Sequence, residues 1–231
     1  MGVVVVGLSH KTAVTECRAK LTFPEDTIPA ALGKLMPYPG IQESLILSTC
    51  NRVEIYSSVK DSAQGIESIK QFISDYHGLS RSDLEQSLYV YPDGEGVRHA
   101  FRVASSLDSL VVGEPQILGQ LKDAFDIALK AKTTSTVLNK LLKKSISVAK
   151  RVRTETRLAE GAVNISYAAV ELAKKIFGTL EGKSVLLLGA GEMAELAARH
   201  LINNKVDKIM VANRTFERAE ELAQEFKGDA I

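Results

Sequence analysis

The sequence of 231 residues predicts an α/β protein in which an α+β domain and a helical linker precede an incomplete Rossmann-type domain. Short apolar runs bounded by turn residues alternate with helical periods in the first half, which is typical of α+β structure. From Gly96 the pattern changes to one helix after another. After Lys183 an apolar run leads into a glycine-rich turn and a new helical period, the βα unit that opens a doubly wound sheet. We place the domain boundary between residues 157 and 158.

Three strands and two helices are predicted before Gly96. Strands are expected where apolar or loosely alternating residues run between turn signals, and helices where apolar residues recur with a period of 3.6. The predicted strands are Val3–Gly7, Ser44–Ser48 and Val53–Val59, and the predicted helices are Thr27–Met36 and Ile66–Tyr76. Pro37 and Pro39 end the first helix, and Gly78 ends the second. We expect these strands to form a half-covered sheet.

Three further helices are predicted after Gly96, at Val97–Ser106, Ile117–Lys130 and Thr136–Arg157. Between Lys130 and Arg157 nine Lys and Arg residues face the single acid Glu155, a surplus of eight positive charges in a chain whose net charge is +1. Such a run is most simply a solvated helix face, although clustered cations also suit contact with the phosphates of a nucleic acid. The residues alone leave both interpretations open.

The composition excludes several classes of protein. The chain is 45% hydrophobic, with 29 basic and 28 acidic residues, unlike a disordered or low-complexity chain. Two cysteines are too few for a disulfide scaffold and fit a reducing compartment. The apolar N-terminal run lacks a basic lead-in and is too short for a signal peptide or a membrane span, so we expect a cytoplasmic protein without membrane contact. No Cys/His cluster has metal-ligand spacing, so no metal is expected.

The last part of the chain reads as a helix followed by a βαβα pattern. The predicted elements are the helix Ile165–Phe177, the strand Ser184–Leu188, the helix Glu192–Asn203, the strand Lys208–Ala212 and the helix Phe216–Phe226. Between the first strand and its helix lies Gly189-Ala190-Gly191-Glu192-Met193-Ala194. The first glycine permits the tight turn, the second lets backbone amides approach a pyrophosphate, and Ala194 allows close helix packing. The run predicts a dinucleotide site, with an ordinary ligand-free turn as the alternative.

The end of the next strand decides between the two nicotinamide cofactors. The sequence there reads Asn213-Arg214-Thr215, where an NAD-specific fold usually has an acid for the ribose hydroxyls. A guanidinium and a hydroxyl suit a 2′-phosphate, and no carboxylate repels it. The run therefore favours NADPH, with a plain surface role for Arg214 as the alternative.

Cys50 directly follows the predicted strand Ser44–Ser48, so its side chain emerges into a turn. Arg52 and the turn amides are expected to lower the pKa of the thiol, whereas an unspecified cysteine is more often a small buried residue. Cys17 lacks this placement and is interpreted as structural. A reactive thiol and a nicotinamide suggest reduction of a thioester to an aldehyde, because a thiolate departs readily after hydride addition. The aminoacyl ester of a tRNA is a suitably activated acyl donor.

Four runs of residues together resemble the glutamyl-tRNA reductase family. They are Gly7-Leu8-Ser9-His10-Lys11-Thr12-Ala13, Ser48-Thr49-Cys50-Asn51-Arg52-Val53-Glu54-Ile55-Tyr56, Gly113-Glu114-Pro115-Gln116-Ile117-Leu118-Gly119-Gln120 and Gly189–Ala194. The resemblance runs from residue 3 to the end of the chain. It implies NADPH-dependent reduction of glutamyl-tRNA(Glu) to glutamate-1-semialdehyde through a Cys50 thioester, the first step of five-carbon tetrapyrrole (porphyrin) biosynthesis. It makes residues 1–157 the catalytic domain and residues 158–231 the NADPH-binding domain.

The resemblance also implies roles for individual residues. Cys50 is the nucleophile. His99 supports activity, either as a proton donor or as an orienting group. Arg52 is expected to bind a substrate carboxylate in bidentate fashion, and Glu114 is expected to bind the substrate ammonium. The implied substrate-binding residues are Thr49, Asn51, Arg52, Ser109, Glu114, Pro115, Gln116 and Gln120, with Pro115 shaping the loop. The implied cofactor-binding residues are Gly189, Ala190, Gly191, Glu192, Met193, Ala194, Asn213, Arg214 and Thr215. His10 belongs to a family motif without a chemical assignment.

The main departure from the family lies at the C-terminus. Family members continue into a helical dimerisation domain, whereas this chain stops at Ile231, where a third strand would begin. We therefore expect a truncated chain without that domain, for which neither family homodimerisation nor NADPH binding can be assumed. The expected partners are glutamyl-tRNA(Glu) and, as acceptor of the product, glutamate-1-semialdehyde aminotransferase. Two other classes stay open: a non-catalytic tRNA-binding module, and another two-domain NADP oxidoreductase acting on a free small molecule.

Overall fold

The computed structural model describes residues 2–156, 158 and 165–231. The chain divides into two compact units, one that ends at Ala162 and one that begins at Val163. The boundary expected between residues 157 and 158 falls near this division, where residues 157 and 159–164 lie outside the described part.

The first unit is built on a four-stranded antiparallel sheet with the strand order β2-β3-β1-β4. The strands are β1 (Gly2–Ser9), β2 (Ile41–Ser48), β3 (Arg52–Val59) and β4 (Tyr89–Pro92). The three predicted strands are confirmed, and each is one to three residues longer than predicted at one or both ends. The fourth strand, β4, was not predicted, because its four residues are all half-buried and show no apolar alternation.

The expectation of a half-covered sheet is wrong. Every residue of β3 is buried, and so is every residue of β1 after the first. Polar side chains of β3 are buried as well, and all of them except Ser58 have hydrogen-bond partners. For example, the hydroxyls of Ser44 and Ser57 lie 2.7 Å apart in a buried hydrogen bond. Polar residues along a strand therefore do not indicate a solvent face here, because hydrogen bonding satisfies most of them inside the protein.

Seven α-helices and one 3₁₀ turn are described in the first unit. They are α1 (Thr15–Lys20), the 3₁₀ turn Glu25–Thr27, α2 (Ile28–Leu35), α3 (Ser62–His77), α4 (Arg81–Glu85), α5 (Asp93–Ala104), α6 (Gln116–Lys130) and α7 (Thr136–Glu155). The five predicted helices are confirmed with shifted ends, and Arg157, the predicted end of α7, lies outside the described residues. Helices α1 and α4 were not predicted. Helix α1 buries none of its residues and α4 only Leu84, so neither has the apolar stripe that indicates a helix.

A buried carboxylate joins the sheet to α7, the longest of these helices. Glu43 on β2 is 6% exposed and accepts hydrogen bonds of 2.8–2.9 Å from the amides of Ser135, Val137 and Leu138. Amides at a helix start have no hydrogen-bond partner inside the helix, and a negative charge there also interacts favourably with the helix dipole. Helix α7 therefore begins at a fixed point on the sheet, although the side chain of its own N-cap residue, Ser135, makes no capping hydrogen bond.

The second unit is a βαβαβ arrangement on a parallel sheet with the strand order β5-β6-β7. Its elements are α8 (Ile165–Phe177), β5 (Ser184–Leu188), α9 (Glu192–Asn203), β6 (Lys208–Ala212), α10 (Phe216–Glu225) and β7 (Asp229–Ala230). They confirm the predicted elements, with α10 one residue shorter. Among the described strands β5 pairs only with β6, and its apolar Leu188 is 81% exposed. Strands of a doubly wound sheet are normally covered, so this unit is an incomplete Rossmann-type fold.

Candidate active site

Cys50 lies at the tip of the hairpin that joins β2 to β3. The turn is organised by Thr49, whose hydroxyl oxygen accepts hydrogen bonds from the amides of Asn51 (3.2 Å) and Arg52 (3.1 Å). The amide of Thr49 donates in turn to the carbonyl oxygen of Arg52 at 2.8 Å. Cys50 is exposed, so the hairpin presents its thiol to solvent from an ordered turn. Cys17, in contrast, is half-buried, with its thiol 3.6 Å from the hydroxyl of Ser87.

A small pocket that is open to solvent lies beside the thiol. Its lining consists of Thr49, Cys50, Asn51, Arg52, Ser109, Leu110, Glu114, Gln116, Ile117 and Gln120. Seven of the eight residues implied in substrate binding are therefore brought together around Cys50, from two distant stretches of sequence. The eighth, Pro115, is the N-cap residue of α6. The role of each residue towards a substrate stays a prediction.

The loop between α5 and α6, which carries Ser109 and Glu114, is fixed at both ends. The hydroxyl of Ser106 donates to the carbonyl oxygen of Glu114 at 2.6 Å, and the amide of Gly113 donates to the carbonyl oxygen of Ser106 at 3.0 Å. Arg153 on α7 donates to the same Glu114 carbonyl at 3.0 Å. Sequence reasoning missed Ser106 and Arg153 as supports of the site, because both act through contacts distant in sequence.

Arg52 is 1% exposed, and its guanidinium is directed into the protein. Its Nη1 donates to Glu54 Oε1 at 2.7 Å, and its Nη2 donates to the carbonyl oxygen of Asp108 at 2.7 Å and to Asp108 Oδ2 at 3.3 Å. Burial alone would lower the pKa of Arg52, but the two acids and the nearby tyrosines Tyr56 and Tyr89 raise it overall. The arginine therefore ties β3 to the loop that carries Ser109.

These contacts correct two expectations about Arg52. Its charge is matched by Glu54 and Asp108, so it is not a free cation that favours a thiolate at Cys50. Both terminal nitrogens already form hydrogen bonds within the protein, so the guanidinium is not available in this structure for bidentate binding of a substrate carboxylate. The cation that does contact the turn is Arg18, which donates to the carbonyl oxygen of Cys50 at 3.2 Å. Sequence reasoning did not single out Arg18.

Glu54 is the centre of a buried polar cluster, which we call the Glu54 network, formed by Arg52, Glu54, Tyr56, Tyr89 and His99. Tyr56 donates to Glu54 Oε2 at 2.5 Å, Tyr89 donates to Oε1, and His99 Nε2 lies 2.7 Å from Oε1. Burial would raise the pKa of Glu54, but Arg52 and the hydrogen bonds from His99 and Tyr56 hold it at about 2. The carboxylate is therefore ionised at neutral pH.

His99 belongs to this network and not to the lining of the pocket. It is 5% exposed, and its ring stacks on Tyr91 with the ring centroids 4.5 Å apart. Its connection to the pocket runs through Glu54 and Arg52. Sequence reasoning missed Glu54, although a usable signal existed: it stands two residues after Arg52 on a strand, so both side chains lie on the same face.

The motif at residues 7–13, which had no chemical assignment, supports the site from β1. The amide of His10 donates to the carbonyl oxygen of Asn51 at 2.9 Å, which anchors the hairpin tip. Lys11 Nζ lies 2.5 Å from Asp108 Oδ1, so it helps to hold the loop that follows α5. Burial, together with the nearby cations Arg52 and Lys11, lowers the pKa of His10. Its imidazole is therefore neutral at neutral pH.

Gly7 makes room for the Glu54 network within the sheet. It pairs with Glu54 on one side and with Tyr89 on the other, so the three residues form a row across β3, β1 and β4. A Cβ at Gly7 would lie 2.8 Å from both Cα and Cγ of Glu54 and would also collide with the carbonyl oxygen of Val53. Only glycine therefore leaves the space through which Tyr89 reaches Glu54.

We expect Gly7→Ala to destabilise the first unit by about 1–3 kcal/mol, because backbone atoms of β3 must move to admit the methyl group. Urea unfolding followed by tyrosine fluorescence measures this, since the chain has no Trp and five of its six Tyr lie in the first unit. The control is Gly33→Ala on α2, where a Cβ meets nothing within 4 Å. Alanine there is expected to be neutral or stabilising by up to about 1 kcal/mol. Equal stability of the two variants would contradict the steric argument.

The second unit carries the glycine-rich turn between β5 and α9. Gly189 has a φ of 105°, a conformation that favours glycine, and Gly191 is the N-cap residue of α9. A Cβ on either glycine would meet no atom within 4 Å, so open space lies where a pyrophosphate would approach the helix N-terminus. Asn213 accepts from the amide of Ala190 at 3.3 Å and donates to the carbonyl oxygen of Thr215 at 2.8 Å. The turn can accommodate a dinucleotide. The side chain of Asn213 links the loop after β5 to the loop after β6, because its amide oxygen and its amide nitrogen both form hydrogen bonds within the protein.

The other residues implied in cofactor binding lie next to this turn. Glu192, Met193 and Ala194 form the first turn of α9, and Arg214 and Thr215 are exposed directly after β6. An exposed guanidinium in that position is compatible with a 2′-phosphate. The preference for NADPH stays a prediction.

Most of the basic residues between Lys130 and Arg157 lie on an exposed face of α7. The helix buries one stripe, made of Leu138, Leu141, Leu142, Ser145 and Ala149. Its exposed cations are Lys140, Lys143, Lys144, Lys150 and Arg151. Arg153 is half-buried and holds the pocket loop, so it is not part of that face. Arg157 lies outside the described residues.

Two kinds of feature are absent from the described residues. None of their His, Cys, Asp and Glu side chains form a group of three or more that could hold a metal ion. No described helix combines the length and the apolar character needed to cross a bilayer.

The fold and site define a class: a two-unit α/β protein that carries an exposed thiol in a polar pocket and a dinucleotide-type βαβ turn. Comparison with known proteins makes the assignment narrower. The family model described as "Glutamyl-tRNAGlu reductase, N-terminal domain" matches residues 6–156, and "Shikimate / quinate 5-dehydrogenase" matches residues 171–231. The chain belongs to the glutamyl-tRNA reductase family.

Individual relatives agree with this assignment. The chain is 56% identical to glutamyl-tRNA reductase of Trichlorobacter lovleyi and 55% identical to that of Geobacter metallireducens, in each case over the whole chain and 53% of the relative. A solved structure, glutamyl-tRNA reductase from Methanopyrus kandleri, is 38% identical with a TM-score of 0.63 and matches 99% of this chain and 53% of that one. The chain therefore spans about half the length of the relatives it matches.

Proposed function

We propose that this chain carries the thiol and the nucleotide turn of an NADPH-dependent reductase that converts glutamyl-tRNA(Glu) into glutamate-1-semialdehyde. The observation that carries the proposal is the pocket in which the exposed thiol of Cys50 stands among Thr49, Asn51, Ser109, Glu114, Gln116 and Gln120. On this proposal the reaction is the first step of tetrapyrrole biosynthesis, and glutamate-1-semialdehyde aminotransferase takes the product.

In the first step, the thiolate of Cys50 attacks the carbonyl carbon of the aminoacyl ester. The C–O bond to the terminal ribose breaks, the ribose oxygen leaves with a proton, and the glutamyl group remains on sulfur as a thioester. The hairpin suits this step because the thiol is exposed and its turn is held by Thr49. The polar pocket beside it offers Glu114 for the substrate ammonium and amides for the remaining polar groups.

The second step is reduction of the thioester to the aldehyde with release of the Cys50 thiolate, for which NADPH, when bound, would supply the hydride. For that cofactor the chain offers Gly189 and Gly191 at the pyrophosphate and Arg214 at the 2′-phosphate. The exposed cations of α7, from Lys140 to Arg151, suit the phosphates of the tRNA.

The proposal is tested by incubating the chain with tRNA that carries radiolabelled glutamate, in the absence of NADPH. We expect label to remain on the acid-precipitated protein, to be released by hydroxylamine, and to map to the peptide that contains Cys50. A non-catalytic tRNA-binding module would bind the tRNA without taking up label. An oxidoreductase for a free small molecule would do neither. Label on another residue, or none, would contradict the proposal.

A further inference from the structure

The side chain of Glu54 is entirely buried, yet it lines neither the pocket nor the surface around the thiol. Its Oε1 accepts hydrogen bonds from Arg52 Nη1 at 2.7 Å and from the hydroxyl of Tyr89. His99 Nε2 lies 2.7 Å from the same oxygen. Its Oε2 receives the hydroxyl of Tyr56 at 2.5 Å. Four groups thus converge on one carboxylate beneath the candidate active site.

The ionisation state of Glu54 determines the proton arrangement of the network. An ionised carboxylate has no proton and can only accept hydrogen bonds. Arg52 keeps Glu54 ionised, so at 2.7 Å His99 must be the donor and must carry a proton on Nε2. A neutral imidazole with its proton on Nε2 has its lone pair on Nδ1.

We propose that Glu54 is a positioning residue for the reaction, which fixes His99 in the tautomer with the proton on Nε2, so that Nδ1 is the nitrogen able to accept a proton. The role of His99 rests on the proposed function, whereas the tautomer does not. Such a second group, which orients an imidazole through one nitrogen and leaves the other to act, is a general arrangement in active sites. Gly7 contributes by leaving the space in which this carboxylate sits.

The structure also explains why this position requires a carboxylate and not an amide. Arg52, Tyr56 and Tyr89 all present donors to Glu54, so a glutamine amide group would bring a donor against a donor. The single amide oxygen of glutamine is uncharged, so its hydrogen bonds to Arg52 and His99 would be weaker than those of the ionised carboxylate. Glu54→Gln has almost the same volume as the natural residue, so its effects report charge and hydrogen bonding.

The first test measures the imidazole nitrogens of the chain by two-bond ¹H–¹⁵N NMR at mildly alkaline pH. Only four His are present, and the spectrum of His99→Gln identifies the signals of His99. We expect wild-type His99 to show a protonated Nε2 and an unprotonated Nδ1. We expect Glu54→Gln to lose this pure pattern, while Glu43→Gln, at the buried carboxylate that caps α7, keeps it. A protonated Nδ1 in the wild type would overturn the inference even if Glu54→Gln fails to fold, and so would an unchanged pattern in a folded Glu54→Gln.

The second test measures the single-turnover rate at which labelled glutamate passes from tRNA to the protein. We expect Glu54→Gln and His99→Gln each to lower this rate about 100-fold, the scale of a lost proton-transfer group. The double variant is expected to be no slower than His99→Gln alone, because Glu54 acts through His99. Independent, multiplying effects, or wild-type rates in both single variants, would overturn the positioning role. If the wild type takes up no glutamate, the proposed function fails, and the NMR result still decides the tautomer.

Discussion

Replacing Cys50 with serine is expected to abolish transfer of glutamate from tRNA to the protein, with a fall in rate of at least about 10³-fold. A serine hydroxyl is a weak nucleophile at neutral pH unless an adjacent base activates it, whereas a thiol is partly ionised and intrinsically reactive. The side chain is exposed at the hairpin tip, and the turn is held by Thr49 and backbone groups. The variant should therefore fold like the wild type, so that the loss reports chemistry.

The control for this experiment is Cys17→Ser, the other cysteine of the chain. Its thiol is half-buried near Ser87 and lies outside the pocket lining, so its removal should leave acylation unchanged. Acid-stable label on protein is measured for the wild type and both variants with the same preparation of glutamyl-tRNA. If Cys50→Ser takes up label as the wild type does, the thioester hypothesis is wrong for this chain.

Replacing Arg52 with methionine is expected to destabilise the first unit by about 3–5 kcal/mol, the usual cost of removing one partner from a buried ion pair. Methionine retains much of the volume of the side chain, but it leaves Glu54 buried without its cation and removes the contact of Arg52 with Asp108. The hairpin and the loop after α5 also lose the side chain that joins them. The free energy of unfolding in urea, followed by tyrosine fluorescence, measures the effect.

The matched control is Arg151→Met on the exposed face of α7. Arg151 pairs with Glu155 at 2.9 Å, but both side chains are exposed, so water and salt screen the pair and its loss should change the stability far less than the loss of Arg52. A loss of similar size in both variants would contradict the view that Arg52 is the main cation of the buried network.

The destabilisation by Arg52→Met should depend on pH in a defined direction. The pKa of Glu54 is lowered from 4.5 to about 2, with burial opposed by Arg52 and the hydrogen bonds of the network. The contribution of its ionised form is therefore fully present above about pH 4.5 and is lost as the pH falls towards 2. The difference in stability between wild type and variant should shrink over this interval. A difference that is constant from neutral pH down to 2 would exclude Glu54 as the group involved.

The sequence by itself determined the order of most secondary-structure elements. Apolar runs and helical periods identified β1 to β3, five helices of the first unit, and α8 with the βαβα pattern of the second unit, because burial imposes those periods on the residues. The elements that sequence reasoning missed, α1, α4 and β4, bury few side chains and so carry no such period. The sequence motifs also identified the thiol and the residues around it, since the family resemblance covers those positions.

Only the tertiary structure decided how the candidate site is held together. From the sequence, Arg52 was a free cation near a thiol and His99 a lone histidine on a helix. In the folded chain both contact Glu54, and Gly7 on a neighbouring strand provides the space for that contact. The physical reason is that charge and proton position in a buried cluster depend on distances between atoms far apart in sequence. Local sequence patterns can place Arg52 and Glu54 on one face of a strand, but they contain no information on the distances from these residues to His99 and Asp108.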